Sequence, residues 1–158
     1  FPTRRSSDLL GLLTINAMTA VDEVLIPIQC EYYALEGVGQ LLGNIGMIRE
    51  HLNNSLHISA IVLTMYDART KLASEVADEV RGQFGQVVLN NVIPRSVKVS
   101  EAPGYGQTVI DYDPGSRGAL AYFDAARELA HRGDYQPHPS TGPIGVSPEV
   151  YAQLDEEE

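Results

Sequence analysis

Apolar positions along this chain switch repeatedly between two spacings. From Val24 to Ile28 the run VLIPI is continuously apolar, the pattern of a buried strand. Leu35, Val38, Leu41, Leu42, Ile45, Ile48 and Leu52 then fall at helical spacing and predict a helix with one apolar face. ISAIVLTM, from Ile58 to Met65, predicts a second buried strand. Leu72, Val76, Val80 and Phe84 recur every four residues and predict a second helix. Val87 to Ile93 predicts a third strand, ended by Pro94. A last helix is expected from Ser116, with a stripe of Leu120, Phe123, Ala126 and Leu129. Strands that alternate with helices imply an α/β fold with a parallel sheet flanked by helices. Ligands of such sheets sit beyond the carboxyl ends of the strands. That singles out the loops after Ile28, Met65 and Ile93.

Length and charge refine this picture. The 158 residues suffice for one domain with a sizeable core. No apolar run reaches the ~20 residues that a spanning helix needs. A lone cysteine, Cys30, excludes an internal disulfide and suits a reducing compartment. The net charge is −10, but six acids and no Lys or Arg fall between Gly133 and Glu158. Five of the nine basic residues between Leu10 and Arg132 fall between Arg69 and Lys98, so an acidic chain can still carry a local basic patch. Residues 133–158 are rich in Pro, Gly and Ser and end in acids, a composition expected to stay disordered.

The loops hold the candidate chemistry. Thr64-Met65-Tyr66-Asp67-Ala68-Arg69-Thr70-Lys71 reads first as a helix entry with Asp67 or Thr70 as N-cap, yet a basic pair there opposes the helix dipole. In Pro94-Arg95-Ser96-Val97-Lys98, Arg95 and Lys98 are three apart and would share a face on a helical turn, where they could contact phosphate. Asp113-Pro114-Gly115 is turn chemistry, with Ser116 a fair N-cap. Cys30 lacks the partners of a metal site, the four histidines have no ligand or triad spacing, and Tyr32 and Tyr33 read as packing residues. GxxxxGK[ST] does not occur, so no phosphate-cradling loop and no catalytic residue is assigned.

Three segments in order carry a resemblance: GLLTINAMTAVDEVLIPIQCEYYALEG, IVLTMYDARTKLASEV, and VIPRSVKVSEAPGYGQTVIDYDPGSRGALAYFDAARELA. From about Leu10 to Arg132 the chain resembles the ParA/Soj chromosome- and plasmid-partitioning ATPases. It resembles them more than the MinD cell-division ATPases, because IPRSVKVSEAP and YDPGSRGA are ParA-like. The resemblance implies the C-terminal half of a deviant Walker A P-loop domain. It implies ATP and Mg2+ as cofactors of the full-length protein, an ATP-dependent homodimer, non-specific DNA and a ParB-type centromere-binding protein as partners, and a cytoplasmic, nucleoid-associated location. Thr64, Met65, Pro94 and Arg95 match loops on the adenine side of the nucleotide. Arg69 and Lys98 match DNA-contacting positions, Lys98 where the family usually has arginine, which loses the bidentate fork. The family's KGGVGKTT loop and switch aspartate would lie upstream of residue 1. Its acidic DCPPS motif should precede Leu10, where SSDL stands instead; Asp8 falls too late to inherit that motif's role, so no metal ligand is assigned.

Phe1–Leu9, FPTRRSSDL, is what part of a common short-read sequencing adapter encodes. Residues 1–9 are therefore expected to be non-native, residues 10–132 to be the C-terminal half of the ATPase domain, and residues 133–158 a tail. Without the P-loop, this chain is expected to bind no nucleotide and to be inactive alone. Lacking central strands of a parallel sheet, it is also expected to fold poorly by itself. Two other functions fit the same residues: a non-catalytic module competing for ParB or DNA, and a ParA-like ATPase that positions another cargo.

Overall fold

A computed structural model describes residues 11–132, the side chains of Leu35 and Glu36 excepted. The segments expected to be foreign (1–9) and tail-like (133–158) lie outside the described residues. Strand β1 (Glu23–Gln29) pairs in parallel with β2 (His57–Thr64), Ile26 opposite Ile61 and Ile28 opposite Leu63. Helix α1 (Leu12–Ala20) precedes β1, α2 (Ala34–His51) connects the strands, and α3 (Lys71–Phe84) follows β2. The main core lies between one face of the two strands and α2 and α3, where Ile26, Ile28, Ile45, Ile61, Leu63, Val80 and Phe84 are buried together.

The helix patterns and the first two strand patterns find their elements, with informative departures. On α2, Val38, Leu42, Ile45 and Ile48 turn inward as the spacing predicts, whereas Leu52 lies past the helix end and is exposed. On α3, Val76, Val80 and Phe84 are joined in the core by Ala73 and Ala77, and Leu72 points away. Thr70 proves to be the N-cap, its hydroxyl accepting the Ala73 N–H at 3.4 Å. β1 is buried on one face only: Ile26 and Ile28 are covered, while Leu25 is 43% exposed. Helix α1 has no apolar stripe in the sequence. It leans Ile15 and Met18 on the core, and Asn53 clips its end by donating to the Met18 and Val21 carbonyls.

The expected third strand is not regular. A 3₁₀ turn (Gly85–Val87) leads into a segment that runs parallel to β2 but touches it only at intervals. Leu89 N–H donates to Ile61 and Ile93 N–H to Leu63, so four steps along this segment answer two along β2. The surplus is a bulge at Asn90 and Asn91, and a side chain from the far end of the chain holds it open. Glu128 accepts both backbone N–H groups and both side-chain amides of Asn90 and Asn91, at 2.8–3.0 Å. Arg132, paired to Glu128, donates to the Gln86, Val87 and Val88 carbonyls.

Both residues belong to α6 (Arg117–Arg132), which covers the second face of the sheet against Ala60, Val62, Leu89 and Ile93. Ser116 caps it, accepting the Ala119 N–H at 3.2 Å. Of the predicted stripe only Leu129 turns to the core. Ala119 and Ala125 face inward with Ala121 and Leu129 beside them, while Leu120 and Phe123 are about half exposed. Two restraints fix this rotation. One is the tie from Glu128 and Arg132. The other is a close approach at Gly118, where an added Cβ would lie 2.6 Å from Val99 Cγ2. Val99 belongs to the short helix α4 (Val97–Glu101), followed by a 3₁₀ turn (Ala102–Tyr105) and α5 (Val109–Tyr112), which pack Ala102 and Val109 on Ala119.

Candidate functional site

The carboxyl ends of β2 and of the irregular third segment meet directly. Tyr66 N–H donates to the Ile93 carbonyl at 3.1 Å, and Arg95 N–H returns to the Tyr66 carbonyl at 3.0 Å. Tyr66 and Pro94 thus form a parallel bridge after β2 has ended. The bridge joins the loop that follows Thr64 and Met65 to the loop of Pro94 and Arg95, almost thirty residues away in the chain. Thr64 closes β2 with its hydroxyl donating to the Ile28 carbonyl at 3.2 Å. Met65 follows with φ of 54°, the one non-glycine residue with positive φ among the described residues. A left-handed conformation is costly for a residue with a Cβ, and such outliers concentrate where a ligand is gripped.

Asp67 organises the loop beyond. Its Oδ1 accepts the backbone N–H of Arg69 at 3.0 Å, and its carboxylate takes Arg69 Nε at 2.9 Å and Nη2 at 2.8 Å. The Arg69 guanidinium and N–H hold the Asp67 carboxyl well below the usual carboxylate range, and the charge of Arg95 acts in the same direction. Arg69 is otherwise open to solvent, its side chain 88% exposed.

Lys98 stands in a second cluster. Its Nζ lies 3.2 Å from Glu101 Oε2 and 5.4 Å from the centre of the Tyr112 ring. The Tyr112 hydroxyl donates to Glu101 at 3.4 Å, and its ring stacks on Tyr105 with centres 5.0 Å apart. Glu101, by hydrogen bond and charge, pushes the Lys98 pKa up, so the ammonium stays charged. The expected sharing of one helical turn by Arg95 and Lys98 does not occur. Arg95 is committed to the bridge with Tyr66, and α4 begins only at Val97.

Sequence reasoning passed over Glu101, Tyr105 and Tyr112. The spacing of Lys98 and Glu101 was a signal for the first; the aromatic pair, from two different turns, had none. Tyr32 and Tyr33 do not pack in the core but stand exposed, edge to face with each other. Cys30 is buried, its N–H donating to the Thr64 carbonyl; burial pushes its thiol up, opposed by the charge of Arg81. Among the described residues no group of three or more His, Cys, Asp or Glu is placed to hold a metal, and no helix is long and apolar enough to cross a membrane.

The chain is 55% identical over 124 residues to the sporulation initiation inhibitor protein Soj of Bacillus subtilis, a match covering 78% of this chain and 49% of Soj. It is a homologue of the Soj/ParA chromosome-partitioning proteins. To the chromosome partitioning protein ParA of Myxococcus xanthus it is 48% identical over 123 residues, covering 78% of this chain and 44% of that protein. The chain thus spans about half the length of the Soj and ParA relatives it matches. A family model described as an AAA domain matches residues 6–58. Among solved structures, cobyrinic acid a,c-diamide synthase from Mycobacterium smegmatis with bound ATP analogue and magnesium superposes with a TM-score of 0.63 at 31% identity, over 79% of this chain and 45% of that one. The α/β fold with its parallel sheet is therefore shared with that synthase.

Proposed function

We propose that this chain forms part of a ParA-type ATPase that segregates chromosomes or plasmids, and that it supplies adenine-side loops and DNA contacts rather than phosphate chemistry. The observation that supports the reading is the Tyr66–Pro94 bridge, which joins the loop following Thr64 and Met65 to the loop of Pro94 and Arg95 at the carboxyl end of the sheet. Adenine is flat and is read by backbone groups and apolar edges, and this seam offers both. Among the described residues no group of three or more His, Cys, Asp or Glu stands there, and no step is assigned to a metal. Residues 10–132 act as the working unit.

Arg69 and Lys98 are the phosphate contacts to DNA. Both are exposed, both lie in loops or short helices next to the adenine seam in sequence, and neither is needed by the core. The partners are non-specific duplex DNA, a ParB-type protein and, with ATP, a second copy of the full-length protein. The test joins residues 10–158 behind the stretch of B. subtilis Soj that precedes the matched region. ATP-dependent binding to random-sequence duplex is expected, and R69E with K98E is expected to abolish it while ATP-dependent dimerisation persists. DNA binding that survives both reversals at moderate salt would reject the assignment.

A further inference from the structure

Each of the two basic residues assigned to DNA is held by a carboxylate of its own loop. Arg69 is bound through two nitrogens by Asp67, and Lys98 is bound by Glu101. The two pairs are built differently, one in a loop before α3 and one along α4, yet reach the same result. We infer that Asp67 and Glu101 act as attenuators of DNA binding, competing with phosphate for Arg69 and Lys98 so that the contact is weak and easily released. The inference rests on the DNA reading of Arg69 and Lys98 given above.

The physical case follows from what an exposed pair is worth. A phosphate that approaches Arg69 must displace the carboxylate or share the guanidinium with it. Exposed ion pairs are individually weak, so the displacement is possible but subtracts from the gain. An undisplaced carboxylate also repels the incoming phosphate directly. Asp67 lies within the field of Arg95 as well as that of Arg69, so it offsets two positive charges at the seam. Glu101 is engaged further by the Tyr112 hydroxyl, and the Tyr112 ring offers its face to the Lys98 ammonium. Lys98 is therefore drawn toward its own surface by both groups. Asp113 adds negative charge near it. Counterion release, the usual source of DNA affinity, is smaller when a cation is already neutralised by its own protein.

The test uses the Soj-completed chain, residues 10–158 intact, and a fluorescent random-sequence duplex read by anisotropy with ATP at fixed salt. Asp67→Asn keeps the oxygen that accepts the Arg69 N–H and removes the charge; Glu101→Gln keeps length and polarity. Glu50→Gln, on α2 with a side chain 75% exposed, is the control for net charge alone. Each of D67N and E101Q is expected to tighten binding about two- to fivefold, and the pair together by more, with E50Q near unchanged. Circular dichroism verifies that the variants stay folded. Equal tightening in all three variants would assign the effect to net charge and overturn the inference. Unchanged or weaker binding in D67N and E101Q, with binding still abolished by R69E and K98E, would overturn it while leaving the DNA reading intact. Binding that survives R69E and K98E would remove the DNA reading and the inference with it.

Discussion

Glu128 holds Asn90 twice, accepting its backbone N–H at 2.8 Å and its side-chain amide at 3.0 Å through the same oxygen. The other carboxylate oxygen does the same for Asn91. One side chain near the end of α6 thus shapes the segment that delivers Pro94 and Arg95 to the candidate site. Replacing Glu128 with Ala strands several donors of the bulge. A loss of about 2 kcal/mol in chemical denaturation of the Soj-completed chain is expected. A change below about 0.5 kcal/mol would show that the bulge holds its shape unaided.

The same carboxylate gives the stability a pH dependence. Burial raises the Glu128 pKa, but the N–H groups of Asn90 and Asn91, the Asn91 amide and Arg132 outweigh it, and the net shift is downward. A lowered folded-state pKa means that its contribution is full above the unfolded value of about 4.3 and is lost as pH falls through the folded value. Melting temperature followed from pH 7 down into acid is expected to fall more steeply for the parent than for E128Q. Parallel curves would contradict this.

Gly118 and Val99 meet where no side chain fits, with a built Cβ 2.6 Å from Val99 Cγ2. Valine is stiff at this atom and cannot swing aside. Gly118→Ala is expected to cost about 1–3 kcal/mol despite the better helix propensity of alanine. Adding Val99→Ala should recover much of that loss. A G118A variant as stable as the parent would show that α4 and α6 slide apart freely.

Much of this architecture was legible because periodicity is a local property. The spacing of Val38, Leu42, Ile45 and Ile48 and of Val76, Val80 and Phe84 predicted both helices and their buried faces. The phase of α6 was not legible. Its inner face is made of Ala119, Ala121 and Ala125, which hydrophobicity underrates, and its rotation is set by Gly118 and Glu128, whose partners lie far away in sequence. The third strand was misread as regular for the same reason, since VVLNNVI has a strand's composition and only Glu128 reveals the bulge. Of the candidate site, the three-segment resemblance pointed to Thr64, Met65, Arg69, Pro94, Arg95 and Lys98. The two-nitrogen grip of Asp67 on Arg69 and the strained backbone of Met65 left no pattern in the sequence.

Met65 is where that strain can be measured, with φ of 54° at the end of β2. Glycine adopts this conformation freely, while a β-branched side chain resists it. Met65→Val is expected to destabilise by about 1–2 kcal/mol. Met65→Gly should stay within about 1 kcal/mol of the parent. Equal effects from the two substitutions would mean that the conformation relaxes when the side chain changes.

The salt dependence of DNA binding tests the central claim most directly. Each phosphate contact to duplex DNA contributes about 0.9 to the slope of log affinity against log salt. If Arg69 and Lys98 are phosphate contacts, R69A with K98A in the Soj-completed chain lowers that slope by at most about 1.8, less to the extent that Asp67 and Glu101 already neutralise them, and weakens binding to every duplex sequence alike. An unchanged slope, or a loss confined to particular sequences, would contradict the assignment of these two residues to the DNA backbone.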